Sequence, residues 1–285
     1  MLISTNSGLH SAKFKEHVRF DLIEESLDFF ADHGFEAVDV NFCATIYNET
    51  TKHPHEPVLD GDEETVKHNL DRIVQKCKDR NLVISGSHLP FFKYHLRDNP
   101  DYDRIQEMVY RSIDAAEYIG VPWTVVHFVD SVESTVNYTR DLAQYVRDKN
   151  YKIGLAIENT PKNTLENLIT AVDILRNEGY RIGICFDTGH CNLAGMRCSD
   201  ALRMIGDRLQ ILHVHDNDGN KDSHRMPFAG NIDWRDCMTA LKEIGYTGPF
   251  NYEISGAPIP NEARPQFADY CVALARYLLS IYNEA

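Results

Sequence analysis

The chain has 285 residues, 43% hydrophobic and 25% charged, enough for one large α/β domain with a substantial core. Lys and Arg number 29 against 43 Asp and Glu, a formal net charge of −14, and so acidic a surface repels nucleic-acid backbones and anionic membranes. No apolar run approaches the roughly 20 residues of a membrane span, the N-terminal MLISTNSGLH lacks a secretory pattern, and the scattered cysteines (Cys43, Cys77, Cys185, Cys191, Cys198, Cys237, Cys271) form no C-x-x-C pair. Free thiols in a reducing cytoplasm are the expectation.

Strand-like and helix-like segments alternate along the chain. Leu2–Ser7 reads as a first strand, and Val18–His33 has helical spacing that stops at Gly34. Ala37–Phe42 alternates as a strand, Glu63–Arg80 is a charged amphipathic helix, Leu82–Leu89 a third strand and Tyr102–Ile119 a third helix. Thr124–Val129 and a helix near Val136–Lys149 follow, then Gly154–Glu158 with Thr164–Asn177, and Ile182–Asp187 with a helix near Ala201–Ile205. Leu209–His215, Trp234–Ile244, Pro249–Ile254 and Phe267–Tyr282 complete the pattern. Eight such units predict an α/β fold of the (β/α)8 TIM-barrel type, as a single domain over residues 1–285. An open doubly wound sheet is the rival, but no G-x-G-x-x-G follows the first strand. The polar loops Ala44–Asp62 and Asp216–Asp233 are long enough to cover a site.

Chemistry in such a barrel sits at the C-terminal strand ends. Four segments there end in residues able to bind a divalent metal: GLAIENT with Glu158, IGICFDTGH with Asp187, ILHVHDN with His213 and FNYEIS with Glu253. Period-two alternation puts Ala156 with Glu158, Cys185 with Asp187, Ile211 with His213 and Asn251 with Glu253 on inward faces. Leu155, Ile157, Phe186, Val214 and Tyr252 then face the helices. Each acidic residue alone reads equally well as a salt-bridge partner. Four candidate ligands at successive strand ends point instead to one mixed oxygen and nitrogen site, suited to Mn, Mg, Co or Zn. His88 and His127 end two further strands, His190 lies in DTGH, and Asp222 and His224 lie in KDSHRMPFAGNIDW, as additional metal or substrate ligands. Phe91, Phe92, Phe128 and Trp234 are candidate walls for a sugar face, and Lys93, His95 and Arg225 candidate contacts for a substrate phosphate.

AIENT, CFDTGH, LHVHD, the Asp222-x-His224 pair, GNIDW and YEIS together resemble the xylose-isomerase-like barrel superfamily. That group contains sugar (phosphate) isomerases and epimerases, ketose 3-epimerases, inosose-processing enzymes and the endonuclease IV type of repair enzyme. Resemblance to the epimerases implies Glu158, Asp187, His213 and Glu253 as metal ligands, Glu158 and Glu253 as the acid/base pair, and His190 on a substrate oxygen. Resemblance to the endonuclease implies His88, His127, Glu158, Asp187, His190, His213, Asp222, His224 and Glu253 around three zinc ions.

The expected function is therefore a divalent-metal-dependent isomerase or epimerase of a small sugar, polyol or keto-sugar, free or phosphorylated. It would abstract a proton beside a carbonyl through a metal-stabilised enediolate. The alternatives are a trinuclear-zinc phosphodiester hydrolase and a dehydratase or lyase on the same barrel. The hydrolase needs a basic groove, for which Lys93, Arg97, Lys162, Lys221 and Arg225 are the available cations. A barrel that only binds a ligand or subunit would carry no metal. The expected partner is a sugar-like small molecule, with no membrane or nucleic acid. The 14 Tyr and 13 Phe are mostly core, with room for a homo-oligomer interface.

Overall fold

The computed structural model describes residues 1–6, 9–10, 20–42, 46–48, 53–55, 58–59, 61–90, 102–254, 256 and 258–285. Strand β1 (Ile3–Asn6) leads to helix α1 (Phe20–Asp32) and β2 (Ala37–Asn41). A hairpin of two short antiparallel strands follows, β3 (Ile46–Asn48) and β4 (His53–His55). Then come α2 (Glu63–Asp79), β5 (Val83–His88), α3 (Tyr102–Tyr118), β6 (Trp123–His127) and α4 (Val132–Asp148). The second half runs β7 (Gly154–Glu158), α5 (Leu165–Asn177), β8 (Ile182–Asp187), α6 (Thr188–Leu193), α7 (Cys198–Ile205) and β9 (Leu209–Val214). It finishes with α8 (Trp234–Glu243), β10 (Phe250–Tyr252) and α9 (Arg264–Glu284).

Eight strands close into a parallel barrel in the order β1-β10-β9-β8-β7-β6-β5-β2. The (β/α)8 expectation holds. Because every strand runs the same way, all C-terminal ends open at one mouth. Register then fixes neighbours there: His127 lies opposite Glu158, and Asp187 opposite His213.

Alternation along the strands divides the core into two regions. Val125, Ala156, Cys185 and Ile211 form a small cluster inside the barrel. Leu155, Ile157, Phe186, Val214 and Tyr252 join the large cluster between barrel and helices, with Ile113, Leu142, Leu168, Leu202 and Leu241. This is the expected partition, because a crowded interior takes smaller side chains and the helix layer takes larger ones. Asp62, Ser131, Thr164 and Asp233 cap α2, α4, α5 and α8 by accepting a first-turn N–H. Such caps contribute about 1 kcal/mol each.

The structure departs from the pattern reading in three places. The loop after β2 carries the β3–β4 hairpin, whose strands are too short to alternate visibly. The helix expected near Ala201 is α7 and begins at Cys198. A separate short helix, α6, starts directly after Asp187, which caps it. Six cysteines are described, all free and buried, and Cys43 lies outside the described residues. Among the described residues, no helix is long and apolar enough to cross a membrane.

Candidate metal centre

The barrel mouth gathers the predicted ligands. Glu158 ends β7, and its carboxylate is the hub. Its Oε1 lies 2.6 Å from His213 Nδ1, and its Oε2 lies 3.1 Å from His127 Nε2 and 3.6 Å from His88 Nε2. Glu253, just after β10, approaches the same His213 Nδ1 at 3.0 Å. Asp187 ends β8. Its carboxylate accepts the main-chain N–H of His190 at 2.6 Å and meets His215 Nε2 at 2.9 Å. Asp222 lies 3.4 Å from both His190 Nε2 and His224 Nε2. All nine predicted residues therefore share one mouth.

Depth separates them. Glu158, Asp187, His213 and His88 are buried, whereas Glu253, His127, His190, His224 and Asp222 border the opening. Together with Asn41, Phe128, Thr160 and Lys162, most of them line a cavity of about 670 Å³. That size suits a small ligand.

Three imidazoles are oriented the same way. Nδ1–H of His88 donates to Leu89 O (2.9 Å), that of His190 to Asn159 O (2.9 Å), and that of His224 to Glu253 O (2.7 Å). Each ring then presents Nε2 to the carboxylates, the arrangement that readies histidine for a cation.

The charges support one another. Burial pushes Glu158 up, but His213, His88 and His127 hold it well below the usual carboxylate range. Burial likewise opposes ionisation of Asp187, and His190 and His215 more than offset it. Burial disfavours charge on His190 and His224, yet Asp187, Asp222 and Glu253 lift them to about 10 and about 9. Such a network stores protons where a metal would sit.

Donor chemistry fits a divalent ion. One ligand atom from each of Glu158, Asp187, His213 and Glu253 lies within 4.8 Å of the others. The same holds for His88, His127 and Glu158, and for His215, His224 and Glu253. Cys185 stands beside Glu158 and His213, and burial holds its thiol well above the ordinary range.

Supporting residues escaped the sequence reading. Asn159 clamps Asp187 at both main-chain groups, accepting its N–H at 2.7 Å and donating to its carbonyl at 2.9 Å. Thr188 Oγ1 donates to His215 O (2.6 Å) and accepts its N–H (3.1 Å). The His215 ring stacks on His224 with centroids 4.1 Å apart. Gly189 is required beneath it, since a Cβ there would lie 1.8 Å from His215 Cε1.

The Asp216–Asp233 loop is held by its own frame. Buried Asp216 accepts from Asn217 N (2.8 Å), Ile232 N (3.3 Å) and Trp234 Nε1 (2.9 Å). Gly230 fits where any Cβ would strike Asn217 O at 2.1 Å. This frame carries Asp222 and His224, the latter in the left-handed region at φ +42°. Strain of this kind persists only where surroundings impose it.

Two expectations fail here. Trp234 is not a wall of the pocket: its ring is buried, and its indole N–H anchors the loop on Asp216. Arg225 does not line the cavity: its guanidinium bonds to Ala229 O and to the Asp218 carboxylate, the latter at 3.3 Å. Phe128 is buried but does line the cavity, as expected of it. Phe91, Phe92, Lys93, His95 and Arg97 lie outside the described residues.

The family model of the xylose isomerase-like TIM barrel matches residues 27–269. The chain belongs to this family. A D-psicose 3-epimerase of Enterocloster bolteae is 28% identical over 117 residues, 40% of this chain and 36% of that one. A probable endonuclease 4 of Methanocorpusculum labreanum is 26% identical over 172 residues, 50% of this chain and 61% of that one. Matches to the first curated relatives span only 36% to 51% of their length. In fold, the chain is similar to an IolI protein crystallised with a bound zinc atom, at TM-score 0.72, 17% identity, and coverage of 100% and 99%.

Proposed function

We propose that the protein is a divalent-metal-dependent isomerase or epimerase of a small sugar, polyol or keto-sugar. One observation carries this reading. Two carboxylates from different strands, Glu158 and Glu253, converge on one imidazole nitrogen, at 2.6 and 3.0 Å from His213 Nδ1. Two bases around one centre can remove a proton from one carbon and return it to the other face or to the neighbouring carbon. Glu158, Asp187, His213 and Glu253 would hold the cation. When bound, it supplies positive charge against the negative charge that develops on a substrate oxygen.

The chain's own groups divide the remaining work. Glu158 stays ionised through the neutral range because three imidazoles face it. Glu253 and Glu158 both line the cavity, Glu253 being the more open of the two to a substrate carbon. His190 lines the cavity with Nδ1 held by Asn159 O, so its Nε2 faces the space where a substrate hydroxyl or carbonyl would lie. Phe128 supplies an apolar wall. Likeness to a D-psicose 3-epimerase supports the substrate class.

A second reading, phosphodiester hydrolysis at three zinc ions, is favoured by the extra ligands. His88 and His127 flank Glu158, and His190, Asp222 and His224 form a separate trio. Against it stands the net charge of −14, and of the expected basic residues only Lys162 lines the cavity among those described.

One experiment separates the readings. Protein loaded with manganese or zinc is analysed for metal content, then assayed in D₂O on D-psicose, L-ribulose and inososes, and on abasic DNA. One tightly held ion with deuterium wash-in beside the carbonyl supports the epimerase. Water loss without epimerisation moves the assignment to a dehydratase. Three zinc ions with strand nicking replaces it with the hydrolase.

A further inference from the structure

Asp39 projects from β2 into the barrel beneath the cation centre and is 3% exposed. Its Oδ1 has no hydrogen-bond partner. Its Oδ2 lies 3.9 Å from His213 Nε2. A buried carboxylate with an empty oxygen is costly, and it persists only where another group gains from its charge.

His213 identifies that group. His88, His190 and His224 are held through Nδ1 by main-chain carbonyls and offer Nε2 to the site. His213 is turned the other way. Its Nδ1 faces Glu158 and Glu253, and its Nε2 points back down the barrel. No main-chain carbonyl bonds to Nε2 among the described residues, and Asp39 is the acceptor aimed at it. Anchors behind a ligating imidazole fix its ring orientation and leave its lone pair on the metal side.

We propose that Asp39 is a positioning residue for the cation centre. It takes the Nε2–H of His213, holds the ring in the tautomer whose Nδ1 lone pair is free, and makes that nitrogen a stronger donor. A shift of about 1 Å brings the 3.9 Å contact to charge-assisted hydrogen-bond length. This extends the reading of His213 as a ligand and rests on it.

The test uses the full chain carrying Asp39→Leu or Asp39→Asn. Zinc affinity is measured by competition with a chromogenic chelator, and the thermal midpoint is taken on metal-free protein. Asp39→Leu is expected to weaken zinc about 10–100-fold. Asp39→Asn, which keeps an acceptor oxygen, recovers part of that loss. The metal-free midpoint falls as well, because the leucine leaves the buried His213 ring without the carboxylate on its Nε2 side. In the zinc-loaded wild type, histidine ¹H–¹⁵N spectra give His213 a slowly exchanging Nε2–H that Asp39→Leu loses. Zinc affinity within twofold of wild type in both variants overturns the proposal, as does a lowered midpoint with unchanged affinity. A His213→Ala protein that binds zinc as well as wild type overturns the ligand assignment itself.

Discussion

Glu158→Gln is the most searching single substitution at this centre. The wild-type carboxylate meets His213 at 2.6 Å, His127 at 3.1 Å and His88 at 3.6 Å, all out of contact with bulk water or nearly so. An amide of the same shape keeps the packing and removes the charge. Breaking a buried ion pair from one side costs about 3–5 kcal/mol when the remaining charge cannot escape. Imidazoles can escape, by releasing their protons, so the cost depends on pH. In the wild type His213 is raised well above its ordinary value, so its contribution is complete below about pH 6.5 and fades only at high pH. In the variant, burial depresses the same imidazoles, the unfolded chain binds more protons than the folded one below about pH 6.5, and stability falls with acid. At about 2 °C per kcal/mol, the metal-free variant should melt roughly 6–10 °C below wild type at about pH 5.5, with a smaller gap at about pH 8.5. Calorimetry on chelator-dialysed protein measures this. Manganese affinity should also fall by more than about 100-fold, beyond the loss seen for outer partners. An equal gap at both pH values, or unchanged manganese binding, would refute the charge network described for this hub.

Metal-free wild type should itself lose stability as pH rises through about 9 and about 10, where His224 and His190 give up their protons, and His190→Asn should flatten that slope in a melting series. Gly189→Ala forces His215 off Asp187, and should cost about 1–3 kcal/mol in chemical denaturation while weakening metal binding. Asp216→Ala strips the acceptor from two amides and the Trp234 indole, and should cost about 3 kcal/mol with loss of turnover through displaced Asp222 and His224. Unchanged turnover in a folded Asp216→Ala protein would mean that the loop takes no part in the site.

The barrel was legible because its strands alternate and its helices stop at clear punctuation. The candidate ligands were legible because each closes an apolar run, so strand ends alone predicted their convergence. What stayed hidden depends on distances between strands. Asp39 reads as an ordinary polar residue of a half-alternating strand until the ring of His213 is seen above it. Asn159 and His215 lie beside readable ligands, but their work is to hold Asp187, which needs three-dimensional placement. Helix α6 is six residues long, too short for a periodicity. Trp234 misled because an aromatic near a sugar site suggests a platform, whereas here its N–H mattered more than its face.

Closure of the ring joins β1 to β10, with Ile3 paired to Phe250. Until that last strand docks, a growing chain exposes two open sheet edges, the features that invite aggregation. Glu253 arrives on the same short segment, next to Tyr252, which pairs with Thr5. Completion of the carboxylate and imidazole cluster and sealing of the cylinder thus depend on the same late segment of the chain. A chain in which β10 has not docked has neither a finished wall nor Glu253 beside His213, so the cylinder and the cluster at its mouth stand or fall together.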